Sequence, residues 1–255
     1  MLQIPAARLP YADIEYRSRP AVWNNGKWNL DQQKFVRGSS NGVQWKLLLA
    51  PEVTDKAASE FRMHFNQQLI ATGVCSPNMA IHIGTDALRL EAVTEVEMRQ
   101  QLQTLYDDKS KAGIPDIVVL LLKSKDQPMY SDFKYLADKV FCFQAICATE
   151  QKFKPKFGWE NAAYMQQYMA NIAMKANLKM TGINHNVRGV NEWLDDTLVL
   201  GADITHPGSS AIETCPSIAA VVGSVESNAG RFRGVLYMQD NVDVSLEPPP
   251  PDNLC

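Results

Sequence analysis

The chain contains no Cys-x-x-Cys pair and no closely spaced pair of histidines, and its five cysteines (Cys75, Cys142, Cys147, Cys215 and Cys255) are an odd number scattered over 255 residues. Neither a zinc site nor a disulfide framework is signalled, and a reduced, intracellular setting is the default. Cys142 and Cys147 read as small buried hydrophobes. Positive charge is not in excess: 25 Lys and Arg stand against 28 Asp and Glu, giving a net charge of -3 and a pI near 5.8. Without a chain-wide basic field, any nucleic-acid site must be local. The apolar runs, such as Ile117 to Leu122, fall far short of the roughly 20 residues of a membrane-spanning helix. Met1 opens on Leu-Gln-Ile-Pro without the basic stretch and apolar core of a targeting signal, so no membrane partner is expected. No Gly-rich phosphate loop of Walker or dinucleotide type is present, which ranks a nucleotide-cofactor enzyme below a binder of a terminal phosphate on a longer ligand.

What is present is the composition of an ordinary globular protein, 45% hydrophobic and 21% charged, long enough for one large or two modest domains. Residues 1 to about 42, rich in Pro, Asn, Gly and Ser with a turn signal at Asn24-Asn25-Gly26, show no sustained period and read as a connector lying on a domain. The pattern then changes. A strand is predicted over Val43 to Ala50, and a helix over Thr54 to Thr72, where Phe61, Phe65 and Leu69 recur every four residues before Gly73. A second strand is expected over Met79 to Ile83 and a helix over Thr94 to Lys111. A fully buried strand is expected over Ile117 to Leu122, a helix from Tyr130 to Lys139, a strand from Val140 to Ile146 and a long helix from Glu160 to Met180. This alternation predicts a doubly wound α/β domain. Thr197 to Asp203, Ser217 to Gly223 and Phe232 to Met238 read as three strands with no helix between them, the start of a second and different domain, before a proline-rich tail at 246–255.

Asn171, Lys175 and Lys179 are four apart on the long helix and stack along one face. Two lysines so placed repel by a few tenths of a kcal/mol, a cost that an anion between them would reverse, although a solvated helix face is the better account of them when they are taken alone. Tyr130 and Lys134 repeat the spacing on a helix that follows the buried strand and the loop Lys123 to Met129. Ligands of open α/β sheets collect beyond the carboxyl ends of strands, where helix N-termini present free N–H groups. A Tyr adds a flat face for a base and a Lys a compact charge for phosphate.

These motifs carry a resemblance. Tyr130-x-x-x-Lys134, the run Asn171 to Asn184 containing Lys175 and Lys179, and Leu200-Gly-Ala-Asp-Ile-Thr-His-Pro207 followed by Pro216-Ser-Ile-Ala-Ala-Val-Val222 resemble a eukaryotic Argonaute in order and spacing. The resemblance implies the end of the second linker at 1–40, a Rossmann-like MID domain at 41–185, and the first strands of a ribonuclease-H-like PIWI domain at 190–245. It also implies that Tyr130 stacks on the first base of a small guide RNA and that Lys134, Lys175 and Lys179 contact its 5′-phosphate, with Cys147 and Asn171 beside them. The loop Ser124, Lys125, Asp126, Gln127, Pro128, Met129 would read the first nucleobase through its backbone. The family commonly has a Gln where this chain has Ile146. Cys147, Thr149 or a water would then replace that hydrogen bond, or the phosphate would be held more weakly, by roughly 1.5–3 kcal/mol for a bond to a charged group. Residues 150–159 form a longer stretch than is usual in the family and carry Lys152, Lys154 and Lys156, read as a solvated loop.

Asp203 matches the family's first metal-binding aspartate of the slicer site, and His206 its structural turn. Slicing needs two metal ions about 4 Å apart and further carboxylates, and Asp240, Asp243 and Glu247 do not match the family's glutamate. Asp203 is therefore expected to form at most an incomplete site, with Mg²⁺ bound only if that site is completed and no cofactor needed for guide binding. The expected function is binding in RNA-mediated silencing, with guide and target RNA and silencing effector proteins as partners in the cytoplasm or nucleus. A nuclease completed by segments supplied elsewhere, and a fragment acting through exposed strands that pair with another edge, are the alternatives.

Overall fold

The computed structural model describes residues 12–22, 26–39, 42–82, 87–91, 94–107, 115–153, 162–190, 194–207, 215–227 and 230–239. Its packing divides the chain into two units, residues 1–188 and 189–255.

The first unit is built on a parallel sheet of five strands. After a two-residue strand β1 (Ile14–Glu15), β2 (Val43–Leu49) enters the core, and α1 (Asp55–Ala71) follows at once. The start and stop of α1 are chemical. Thr54 accepts the N–H of Ala57 through its side chain. At the other end Gly73, at φ +75°, takes the left-handed conformation that a helix end favours, and Val74 N–H returns to Leu69 O at 2.9 Å. Phe61, Phe65 and Leu69 form the buried stripe of this helix, and Trp45 packs edge-on to Phe65 with ring centroids 4.8 Å apart.

The chain continues through β3 (Ala80–His82), a two-residue strand β4 (Leu88–Arg89), α2 (Glu95–Asp107), β5 (Ile117–Leu122), α3 (Gln127–Tyr135), β6 (Gln144–Thr149), α4 (Glu150–Phe153), α5 (Ala162–Lys179) and β7 (Asn186–Val187). The sheet order is β3-β2-β5-β6, with β4 also beside β2, and every pairing is parallel. From β2 the chain steps one way to β3, then back past β2 to β5 and on to β6. Right-handed crossovers therefore put α1 on one face and α2 and α3 on the other, and α1 packs against α5 while α2 packs against α3. All six residues of β5 are buried, as a strand covered on both faces requires; each fully buried Val, Leu or Ile contributes about 1.5–3 kcal/mol.

The connector is part of this unit. β1 pairs antiparallel with β7, Arg37 bridges Ile183, and Ile14, Tyr16, Leu30 and Phe35 join the core. His185 lies against Tyr16 and Trp28, with ring centroids 5.6 and 6.3 Å away.

Several sequence expectations are corrected. α3 begins at Gln127, three residues before Tyr130, because Asp126 caps Met129 N–H at 3.0 Å and Pro128 sits in the first turn. Gln127, Pro128 and Met129 therefore belong to a helix and not to a loop. The strand expected at Val140 to Ile146 is shifted to Gln144–Thr149. The chain first makes a π turn over Leu136–Val140 and then bends at Cys142, where φ is +57°. That bend turns Cys142 outward, so it is exposed and not a buried hydrophobe. The segment Pro77–Met79 is a 3₁₀ turn, so the strand starts at Ala80 and not at Met79, and Ile83 lies outside the described residues. Glu150 opens a short helix, and residues 154–161, with Lys154 and Lys156, lie outside the described residues, as do Asp240, Asp243, Glu247 and the proline-rich tail.

The second unit is an antiparallel sheet of β8 (Leu200–Thr205), β9 (Ser217–Ser224) and β10 (Phe232–Gln239), with β9 in the middle. β8 and β10 are largely exposed, Leu200 by 63% and Leu236 by 74%. Asp203 lies inside β8 opposite Ala220, two residues before the strand ends.

Candidate functional site

β6 is an edge strand, and its backbone shows which way each residue faces. Gln144 N–H donates to Asp116 O at 3.3 Å, on the side of β5. Phe143 N–H donates to Ala137 O at 2.8 Å, Ala145 O accepts from Lys134 Nζ at 3.2 Å, and Thr149 N–H reaches Tyr168 Oη at 3.4 Å. Residues 143, 145 and 149 thus turn their backbone groups to the open edge. By the two-residue period of a strand, Cys147 turns its N–H there as well.

Two helices flank that edge. Successive turns of α3 bring Tyr130 and Lys134, and the last turns of α5 bring Lys175 and Lys179. Together with Ala145, Ile146, Cys147 and Leu178 they line a cavity of about 350 Å³. Tyr130 and Cys147 are shared with a neighbouring hollow of about 310 Å³ whose other walls include Leu122, Lys125, Asp126, Gln127, Thr149, Lys152 and Tyr168. The four-residue spacings predicted to group these side chains do so through two different helices meeting one strand. In the first cavity side-chain ammonium groups supply the positive charge, since Lys179 stands in the last turn of α5, at the negative end of its dipole; the start of α3, at Asp126 and Gln127, walls the neighbouring hollow. Asn171, one turn earlier on α5, is exposed and does not line the cavity. Ser124 lies in the turn after β5, outside both hollows.

The electrostatics converge. Burial, and then the neighbouring charge of Lys134, push the Lys179 ammonium below its ordinary pKa. The Cys147 thiol is pushed up to about 12, chiefly by burial, even though Lys134, Lys175 and Lys179 all pull it down. Cys147 therefore stays a neutral thiol, and an anion would meet the ammonium groups of Lys175 and Lys179 together with Lys134, which is ion-paired with Asp138. Lys179 Nζ also reaches Gln144 Oε1 at 3.4 Å. Ile146 presents an apolar wall to the same cavity.

The second hollow is braced from behind. Lys123 Nζ pairs with Glu150 Oε1 at 3.0 Å, and Glu150 is 1% exposed. Gln151 N–H donates to Lys123 O at 3.2 Å. The end of β5 is thereby tied to α4, which places Lys152 on the rim of the hollow instead of in a solvated loop. Tyr168 was not singled out in the sequence. Nothing but its helical phase, four residues after Tyr164 and one turn before Asn171, marks it.

In the second unit Asp203 Oδ1 accepts from Ile204 N–H at 3.0 Å, and His206 Nδ1 lies 2.9 Å from Ser217 Oγ. Among the described residues no group of three or more His, Cys, Asp or Glu side chains is placed to hold a metal ion. Asp203 and its described surroundings do not fit a two-metal centre.

A parallel α/β unit with a basic cavity at its sheet edge, followed by an antiparallel β unit, is the class of protein the geometry defines. The Piwi domain family model matches residues 117–248, just over half of the chain, and the chain belongs to that family. Its relatives are Argonautes. Protein argonaute 18 of Oryza sativa subsp. japonica is 26% identical over 243 residues, covering 92% of this chain and 21% of its own length. The chain spans between 21% and 28% of the two curated relatives compared, the other being the argonaute of Schizosaccharomyces pombe. The fold is that of solved Argonautes. The structure of Kluyveromyces polysporus Argonaute with a guide RNA matches with a TM-score of 0.69 at 19% identity, covering 91% of this chain and 29% of that one. The C-terminal lobe of a budding yeast Argonaute matches with a TM-score of 0.66 at 20% identity, covering 91% and 49%.

Proposed function

We propose that the chain binds the 5′-phosphorylated end of a small guide RNA and so takes part in small-RNA-guided silencing, by binding and not by catalysis. The observation that carries this reading is the meeting of Lys134, Lys175 and Lys179 with the open edge of β6 around one small cavity, beside a hollow walled by Tyr130. A terminal phosphate monoester, carrying close to two negative charges, fits the lysine-lined chamber, and the first base fits the adjoining one against the Tyr130 ring. The Argonaute relatives and the likeness to an Argonaute solved with a guide RNA support the choice of ligand. Ile146 removes one polar contact from the phosphate wall, so the lysines and the Cys147 N–H carry more of the binding. No metal is needed for this step.

The test compares 5′-phosphorylated with 5′-hydroxyl RNA of one sequence. Affinity falls at least tenfold without the phosphate, about 1.4 kcal/mol, and Lys179→Ala produces much of that loss while leaving the hydroxyl end nearly unaffected. Equal affinity for the two ends would overturn the proposal.

A further inference from the structure

Asp138 lies four residues beyond Lys134, on the π turn that ends α3. Its carboxylate is ion-paired with Lys134 Nζ, and the pair is partly open to solvent on both sides. Asp138 does not line the phosphate cavity, yet its charge is felt at Lys179 and Cys147, which do. An ammonium has three hydrogens to give. In Lys134 one goes to Ala145 O at 3.2 Å and one to Asp138. An anion entering the cavity finds Lys175 exposed, Lys179 held loosely by Gln144, and Lys134 already neutralised.

We propose that Asp138 is the built-in counter-ion of this site: it occupies Lys134 when the cavity holds no anion, and a terminal phosphate must compete with it for that ammonium. The inference rests on the phosphate-binding reading above. The physical case is one of charge. Three lysines around so small a space repel one another, and a carboxylate bound to one of them relieves that repulsion in the free protein. A partly exposed ion pair is weak enough to be displaced. The pair lowers the affinity for a terminal phosphate, which must take Lys134 from it, and leaves an end that does not engage Lys134 untouched. Asp138 therefore acts by way of Lys134 as a positioning residue that sets how tightly the cavity holds a terminal phosphate.

The experiment measures the affinity of the 255-residue chain for 5′-phosphorylated and 5′-hydroxyl RNA in the unchanged protein and in Asp138→Asn, Lys179→Ala, Lys134→Met and Lys134→Met/Asp138→Asn. Asp138→Asn tightens binding of the phosphorylated end by about threefold or more, a shift of the size expected for a partly exposed pair, and leaves the hydroxyl end unchanged. The gain disappears in the Lys134→Met background. If Asp138→Asn binds the phosphorylated end equally or more weakly, the carboxylate does not compete with phosphate and the proposal falls. If the gain survives without Lys134, Asp138 acts directly on the ligand and the proposal also falls. An unchanged protein that does not distinguish the two ends, with Lys179→Ala no weaker, removes the phosphate reading and this inference together. Discrimination that persists while Asp138→Asn gains nothing removes the inference alone.

Discussion

Tyr130 is 41% exposed at the seam between the two hollows, where a ring can present its face to a base without leaving the helix. If the ring face is the working part, Tyr130→Phe keeps most of the affinity for a phosphorylated guide and Tyr130→Ala loses about 1–3 kcal/mol, the worth of one base–aromatic stack. Equal losses in a titration of both variants would assign the work to the hydroxyl. A second aromatic neighbourhood sets a pH dependence of stability. His185 is pressed between Tyr16 and Trp28, and burial lowers its pKa below the ordinary 6.5. The neutral ring is the one that fits, so its contribution is complete above pH 6.5 and is lost as the pH falls through the lower folded value, because the unfolded chain takes up the proton first. The melting temperature should drop between about pH 7 and pH 5, and by less in His185→Gln. Identical slopes for the two proteins would dismiss His185 as the cause.

At the scale of the element, α5 must hold Lys175 and Lys179 at a fixed angle to β6, and fully buried Asn177 stands between them on its opposite face. Asn177 Nδ2 donates to Arg37 O at 3.0 Å and to Asn184 Oδ1 at 2.9 Å, while Asn184 Nδ2 reaches back to Met174 O at 3.1 Å. The end of α5 is thus tied to the connector and to the following turn. Asn177→Ala should cost about 1–3 kcal/mol in a denaturant titration, since it leaves buried polar partners unmatched; a change below about 0.5 kcal/mol, typical of neutral surface positions, would contradict the network. The elements differed in how well the sequence announced them. α1 was legible because capping by Thr54, the Phe61-Phe65-Leu69 stripe and Gly73 all point to one answer, and β5 because six consecutive apolar residues admit little else. β6 was misplaced by four residues because neither a π turn nor a left-handed Cys142 leaves a mark in hydrophobic period. The site was half legible for a related reason. Spacing of four puts Tyr130 with Lys134, and Lys175 with Lys179, but says nothing about which helix pairs meet. Tyr168 and Asp138 acquire meaning only from what lies across from them.

For the whole molecule, the two units differ in how far their strands are satisfied. The first encloses its sheet between helices, and the second leaves much of β8 and β10 open, with apolar side chains such as Leu200 and Leu236 in contact with solvent. Its apolar exposure exceeds that of the scattered surface hydrophobics normal in a globular protein. The sheet order of the first unit also has a temporal side. β2 is the earliest of its core strands to be made, yet it sits in the interior of the sheet, with β3 on one flank and β5 on the other. The β3 flank can close early through α1, over a short stretch of chain. The β5 flank must wait until Ile117 is available to face Trp45, across a longer loop whose closure is slower. Half of a hydrophobic strand is therefore left without a partner during the first moments of folding. In pulse-labelled hydrogen exchange, amides of α1 and the β2–β3 pair should gain protection before those of β5 and β6, and simultaneous protection of all four strands would show that the sheet closes in one event. If the order holds, the interval before β5 arrives is when the open flank of β2 can recruit a foreign strand, and that interval, more than the stability of the finished sheet, sets how readily the chain aggregates as it is synthesised.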